Sequence, residues 1–195
     1  KNVSVINLAG EPFPVDIAKK LLLTNAEIRN LYGPSEDTTY STCYKLSSEK
    51  NYTTIPIGKP ISNTQAYILD EALQLVPAGI VGKLYLSGDG VTKGYLNQPE
   101  LTSAKFIENP FEERNKMYDT GDLAKWTPDG NLIFLGRKDH QIKLRGYRIE
   151  LGEIENAISS FSENILQAVV AVKERKGEDV LVGYYVENEL SIKQF

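Results

Sequence analysis

The first 45 residues carry a buried-strand run, a helical period and a second strand run. Residues 3–8 (VSVINL) are mostly apolar and end at Ala9-Gly10, which predicts a buried strand entering a turn. Pro12 and Pro14 precede VDIAKKLLL, and proline suits the first turn of a helix. Val15, Ala18 and Leu22, with Leu21, supply that helix's apolar face, and Asn25 is its expected stop. AEIRNLYG then predicts another strand. The opening reads as β-α-β, part of an α/β layer that needs further strands, so the chain is expected to start inside a domain.

From about residue 54 to 136 short β-rich runs take over: TQAYILD, GKLYLSG and NLIFLG, separated by Pro77-Ala78-Gly79, Gly88-Asp89-Gly90 and Pro128-Asp129-Gly130. The last of these predicts a hairpin between DLAKW and NLIFLG. One helix is expected at 99–106 (PELTSAKF), and the whole segment reads as a small all-β unit of barrel or sandwich type. A third unit starts near Gly136. In HQIKLRG, Ile142 and Leu144 alternate with Gln141, Lys143 and Arg145, and Gly146 allows a reversal into YRIEL. Leu151, Ile154, Ile158 and Phe161 fall at helical spacing, and ILQAVVAVKE and DVLVGYYV follow as strands around a KGED turn. No closing element follows, so this unit is expected to be incomplete.

Composition narrows the chemistry. The hydrophobic fraction is 41%, enough for a core, and a disordered chain is excluded. One cysteine excludes an internal disulfide framework and any multi-thiolate zinc site. One histidine excludes HExxH-type metal sites and leaves any hydrolytic triad dependent on His140, which sits in a polar turn sequence. Twenty-two Lys+Arg against 26 Asp+Glu, net −4, argue against a general nucleic-acid binder. No apolar run has the length of a membrane span, and residues 1–20 have no signal-peptide pattern. A soluble, cytoplasmic protein is expected, with neither nucleic acid nor membrane as a partner.

Four stretches have more glycine and polar punctuation than packing needs. Asn30–Glu36 (NLYGPSE) combines an aromatic ring, a Gly-Pro turn, a hydroxyl and a carboxylate: a stacking surface, a donor to phosphate and a Mg²⁺ ligand, or equally a strand ending in a capped turn. Gly82–Leu96 (GKLYLSGDGVTKGYL) has four glycines but no Walker spacing, and a β-meander accounts for it as well as a ligand does. In Tyr118–Asp122 (YDTGD) the last carboxylate could accept both hydroxyls of a ribose, or bond its own backbone in an Asx turn. Gly136–Arg148 is locally cationic: Arg137 suits phosphate or ribose oxygens, while a solvated hairpin face is the plainer reading.

In this order and spacing, NLAGEPF, NLYGPSEDTTYST, GKLYLSGDGVTKGYL, MYDTGDLAKW and GRKDHQIKLRGYRIELGEIE resemble core motifs of the adenylation domains of nonribosomal peptide synthetases, in the adenylate-forming superfamily. The resemblance covers nearly the whole chain. It implies a mixed α/β and α+β fold: the C-terminal end of a large α/β subdomain (1–45), a β-barrel-like subdomain (46–137) and the start of a mobile α+β lid (138–195). It implies ATP and Mg²⁺ as cofactors, and an amino acid whose carboxylate attacks the α-phosphate. A peptidyl carrier domain would then take the acyl group on its phosphopantetheine thiol, with the rest of the synthetase as further partner.

By motif match, Tyr32 would stack on adenine, Asn30 would sit near its amino group, Gly33 would belong to the same nucleotide-binding motif, and Glu36 would ligate Mg²⁺. Ser35, where the family has threonine, would meet the α-phosphate; Asp122 would hold the ribose hydroxyls; Arg137 would reach the ribose and phosphates. Phe134 stands where many members have tyrosine and lacks that hydroxyl. Asn7, Ala9, Leu31, Thr39 and Tyr40 would line part of the amino-acid pocket. Asp139 matches the hinge, and Lys143, Arg145 and Gly146 would face the path of the carrier thiol.

The family's Ser/Thr/Gly-rich phosphate loop and its near-C-terminal lysine have no counterpart in this sequence, so the polypeptide alone is expected to be inactive. An acyl- or aryl-CoA ligase or a D-alanine–carrier protein ligase of the same superfamily is the nearest alternative. RGYRIELGEIE and TSAKFIENPF favour the peptide-synthetase branch. A non-catalytic module docking a carrier protein is the alternative of another class.

Overall fold

The computed structural model describes residues 3–113, 115–138, 141–144, 147–175 and 178–188. The chain divides into two compact units, Lys1–Lys138 and Asp139–Phe195, and the expected segments 1–45 and 46–137 both lie in the first.

The first unit opens with β1 (Val5–Ala9), α1 (Val15–Leu21) and β2 (Glu27–Tyr32), the two strands parallel. Pro14 caps α1 in extended conformation, Asp16 lies in its first turn and Lys19 and Lys20 in its last, each charge matched to the helix dipole. α1 buries Ala18 in a cluster with Phe13, Ile28, Tyr44, Leu46 and Ile55, which covers one face of the sheet. A one-turn 3₁₀ helix (Ser35–Asp37) leads to β3 (Thr42–Lys45), antiparallel to β2, and then to β4 (Lys59–Pro60).

A second, antiparallel sheet follows. It contains β5 (Thr64–Leu69), β6 (Gly82–Gly88), then α2 (Pro99–Lys105), β7 (Phe106–Glu108), β8 (Lys116–Trp126) and β9 (Leu132–Arg137). The strand order is β5-β6-β8-β7, with β9 also paired to β8. The two sheets meet at residues 57–58, where Ile57 N–H donates to Leu132 O (2.9 Å) and Leu132 N–H to Gly58 O (2.8 Å). Tyr32, from the first sheet, packs in the second sheet's core with Ile57, Ile68, Leu84, Leu86, Ala124 and Leu132.

Three local expectations change. β3 and β7 were not legible as strands. The helix expected at 99–106 ends at Lys105, because Phe106 turns inward as the first residue of β7 and is 2% exposed. YDTGD, whose plainer reading is an Asx turn, lies within the eleven-residue β8. Gly121, at φ +74, lies beside a register shift between Asp122 and Ala124, so the irregularity is a bulge within a continuous strand.

In the second unit β10 (Gln141–Leu144) and β11 (Tyr147–Glu150) form an antiparallel pair, then α3 (Leu151–Ser160) leads to the hairpin of β12 (Ile165–Arg175) and β13 (Glu178–Glu187). α3 packs on that hairpin: Glu155 Oε1 accepts the Val170 N–H (2.8 Å), and a Cβ added at Gly183 would lie 3.1 Å from Ile158 Cδ1. The element types match the sequence reading of this segment.

Candidate functional site

The end of β2, the bulge of β8 and the end of β9 meet at Asp122. Asp122 and Arg137 are register partners across β8 and β9, and Arg137 Nη1 donates to Asp122 Oδ1 at 2.7 Å. Their side chains are 8% and 12% exposed, so water screens the pair little. The other carboxylate oxygen accepts the Tyr32 hydroxyl, 90 residues away in sequence. Burial, and then the charge of Asp122, push the Tyr32 phenol well above its usual range and keep it a donor. Thr120 Oγ1 accepts the Asp122 N–H (3.0 Å) and donates to Leu84 O (2.7 Å), tying the bulge to β6. Phe134 lies beside Tyr32, with ring centroids 6.2 Å apart.

Tyr32 is 7% exposed and packs in the core of the second sheet. The period-2 pattern of β2 puts Tyr32 on the same face as Ile28 and Asn30, and that face is covered. Its work in this structure is to hold Asp122. Asn30 is also buried, its amide donating to Pro56 O at 2.8 Å.

Glu36 belongs to an adjoining cluster. It is buried in the 3₁₀ turn, and Tyr95 donates its hydroxyl to Glu36 Oε1 at 2.7 Å. The Tyr95 and Tyr118 hydroxyls are 3.4 Å apart, and both rings contact Phe106. Tyr118 precedes Asp122 by four residues on β8, roughly 13 Å of extended strand. Tyr95 is the residue of this cluster that sequence reasoning missed as an individual, although the glycine-rich motif around it stands out.

The loop from Gly33 to Ser41 is tight. A Cβ at Gly33 would stand 2.5 Å from Thr39 O, so only glycine fits where the loop's two ends cross. Thr38 (φ 49) and Thr39 (φ 81) adopt left-handed conformations that β-branched residues avoid. This loop presents Ser35, Thr39 and Tyr40 at its exposed positions. Asn7 and Ala9 of β1 are exposed on the sheet face that α1 leaves uncovered, and Ala9 is in register with Leu31 of β2. Asn7, Ala9 and Leu31 therefore share one face.

Asp139, Arg145 and Gly146 lie outside the described residues. Lys143 lies on β10 in register with Arg148.

Among the described residues, no three His, Cys, Asp or Glu side chains are grouped to hold a metal unaided. The donor set nevertheless fits Mg²⁺ at Glu36: this ion takes one or two carboxylates and completes its shell with water and phosphate oxygens. No helix among the described residues is long and apolar enough to cross a membrane.

Residues 1–96 match a family model described as AMP-binding enzyme. Over 171 residues the chain is 52% identical to tyrocidine synthase 3 of Brevibacillus parabrevis, an alignment covering 87% of this chain and 3% of that protein. With bacitracin synthase 3 of Bacillus licheniformis it shares 49% over 191 residues, covering 96% and 3%. Among solved structures, PA1221, an NRPS protein containing adenylation and PCP domains, superposes with TM-score 0.84 at 32% identity, covering 95% of this chain and 38% of that one. The chain thus spans a few per cent of the length of these curated relatives.

Proposed function

This chain belongs to the AMP-binding enzyme family, and from that premise we propose that it supplies the nucleotide-holding part of an amino-acid-activating adenylation domain. In the proposed reaction an amino-acid carboxylate oxygen attacks the α-phosphorus of ATP. The Pα–O bond to the pyrophosphate breaks, leaving an aminoacyl-adenylate. A phosphopantetheine thiol on a carrier domain then attacks the acyl carbon and AMP departs. PA1221 joins adenylation and PCP domains in one protein, which supports the carrier as partner. We place this chemistry in the cytoplasm, where ATP is abundant.

The residues divide the work by chemistry. An ionised carboxylate only accepts hydrogen bonds, and a ribose diol offers two donors, so Asp122 is assigned to the ribose. Arg137, already beside that carboxylate, is assigned to the ribose and phosphate oxygens. Ser35, exposed on the 3₁₀ turn, brings a hydroxyl toward the α-phosphate. Glu36 would hold Mg²⁺, which when bound neutralises phosphate charge as it builds. Asn7, Ala9, Leu31, Thr39 and Tyr40 are assigned to the amino-acid side of the pocket. Asp139 is assigned to the hinge between the units, and Lys143, Arg145 and Gly146 to the thiol's approach.

The observation that carries this reading is the Asp122–Arg137 pair, buried and braced by Tyr32. Asp122→Ala in the complete adenylation domain is expected to weaken ATP binding by about two to four orders of magnitude, since a hydrogen bond to a charged acceptor contributes about 1.5–3 kcal/mol and the ribose makes two. Calorimetric titration with ATP, alongside amino-acid-dependent ATP–pyrophosphate exchange, measures it. Unchanged affinity would remove the nucleotide from this site.

A further inference from the structure

The glycine-rich stretch at 82–96 has no Walker spacing, and its backbone is engaged with protein. We infer that residues 88–95 form a platform that positions Glu36, with Tyr95 as the positioning residue that fixes its carboxylate. The inference rests on the reading of Glu36 as the carboxylate that meets the ATP-bound cation.

Four contacts join this platform to the 3₁₀ turn. Thr92 N–H donates to Glu36 O at 2.8 Å, and Thr38 Oγ1 donates to Gly90 O at 2.6 Å. A Cβ at Gly90 would come within 2.6 Å of Asp37 Oδ1, so the turn lies directly against this backbone. The fourth contact, Tyr95 Oη to Glu36 Oε1 at 2.7 Å, is the one that reaches the functional side chain.

The platform is itself anchored on both sides. Asp89 N–H donates to Asn63 O (3.1 Å) at one end, and Tyr95 N–H to Thr102 Oγ1 of α2 (2.9 Å) at the other. The Tyr95 ring meets Phe106 edge-on at 5.5 Å, and Phe106 packs on Tyr118 at 5.0 Å. The hydroxyl is therefore delivered by a ring whose position is already set. Glutamate has three side-chain torsions to order before it can meet a cation, and a fixed donor on one oxygen removes much of that freedom.

The experiment uses the complete adenylation domain carrying this sequence. Tyr95→Phe removes one hydroxyl and keeps the ring packing. Three quantities are read: the free Mg²⁺ for half-maximal pyrophosphate exchange, Mn²⁺ binding to the ATP-loaded domain by EPR, and the melting temperature without ligand. Tyr95→Phe is expected to raise both cation requirements about tenfold, the scale on which outer partners of metal ligands act, with melting nearly unchanged. Glu36→Gln is expected to raise them further, and adding Tyr95→Phe to it to change nothing more. If Glu36→Gln shifts the cation dependence but Tyr95→Phe does not, the platform inference falls and the reading of Glu36 stands. If Glu36→Gln leaves it unmoved, the reading of Glu36 falls and the inference with it. Should Tyr95→Phe not fold, Thr38→Val, which removes the bond to Gly90, is expected to shift the requirement in the same direction; no shift overturns the inference.

Discussion

Asp37, next to the residue assigned to the cation, shows what a single buried charge does to this fold. It is 1% exposed, and neither carboxylate oxygen has a hydrogen-bond partner among the described residues. Burial raises its pKa; the Ser41 hydroxyl opposes the shift to a lesser degree, although its geometry falls short of a hydrogen bond. Below the ordinary aspartate value of about 3.8 the folded and unfolded states are both protonated and Asp37 costs nothing extra. Above it the unfolded chain releases a proton that the folded chain retains, so stability falls as pH rises toward the folded value and then levels off. Asp37→Asn is therefore expected to stabilise the domain at neutral pH, by about 1 kcal/mol, because it removes the cost of ionising a buried carboxyl. The gain should shrink as pH falls toward about 4. Paired melting curves of parent and variant across that range measure it; a gain independent of pH would mean Asp37 is not the titrating group.

At the scale of elements, the legible features were those written in local chemistry. The Pro-led starts of α1 and α2 and the β-rich runs of β5, β6 and β9 between their turn signals needed no distant partner. The roles of Asp122, Arg137 and Tyr32 come from motif order, which does not show that the Tyr32 hydroxyl meets Asp122. Alternation in β2 says which residues share Tyr32's face; it does not say that a sheet starting 32 residues later covers that face. β3 and β7 were missed because four and three residues are too few to show a period.

The loop after β2 makes a stricter test of element geometry. All three atoms nearest a Cβ at Gly33 are backbone, at 2.5, 2.6 and 2.7 Å, whereas at Gly90 the nearest is the end of a carboxylate. Gly33→Ala is thus expected to cost about 3 kcal/mol, the upper part of the overpacking range, and Gly90→Ala clearly less, since Asp37 can turn aside. Urea unfolding of the two variants measures the order. Equal costs would mean that the loop gives as readily as a side chain.

On the scale of the whole molecule, the first sheet is covered on one face only. α1 and its cluster seal the side carrying Ile28, while Val5, Asn7 and Ala9 of β1 are exposed opposite, and β1 is an edge strand. Parallel pairs of this kind are normally covered on both faces, because crossover connections bring layers to each side. Val3 at 62%, Leu23 at 87% and Leu96 at 88% add further exposed apolar surface to the same unit. Surface of this kind associates when nothing native covers it. The 195-residue polypeptide on its own is therefore expected to self-associate with rising concentration and to bind an apolar dye, where the complete adenylation domain does neither. Sedimentation velocity over a concentration series measures the first and dye fluorescence the second. A Val5→Lys substitution in the short polypeptide separates edge pairing from general stickiness, because a charge on an edge strand blocks strand addition while leaving Leu23 and Leu96 in place. Association abolished by that one charge would locate the contact at β1; association unchanged by it would move the contact elsewhere on the unit.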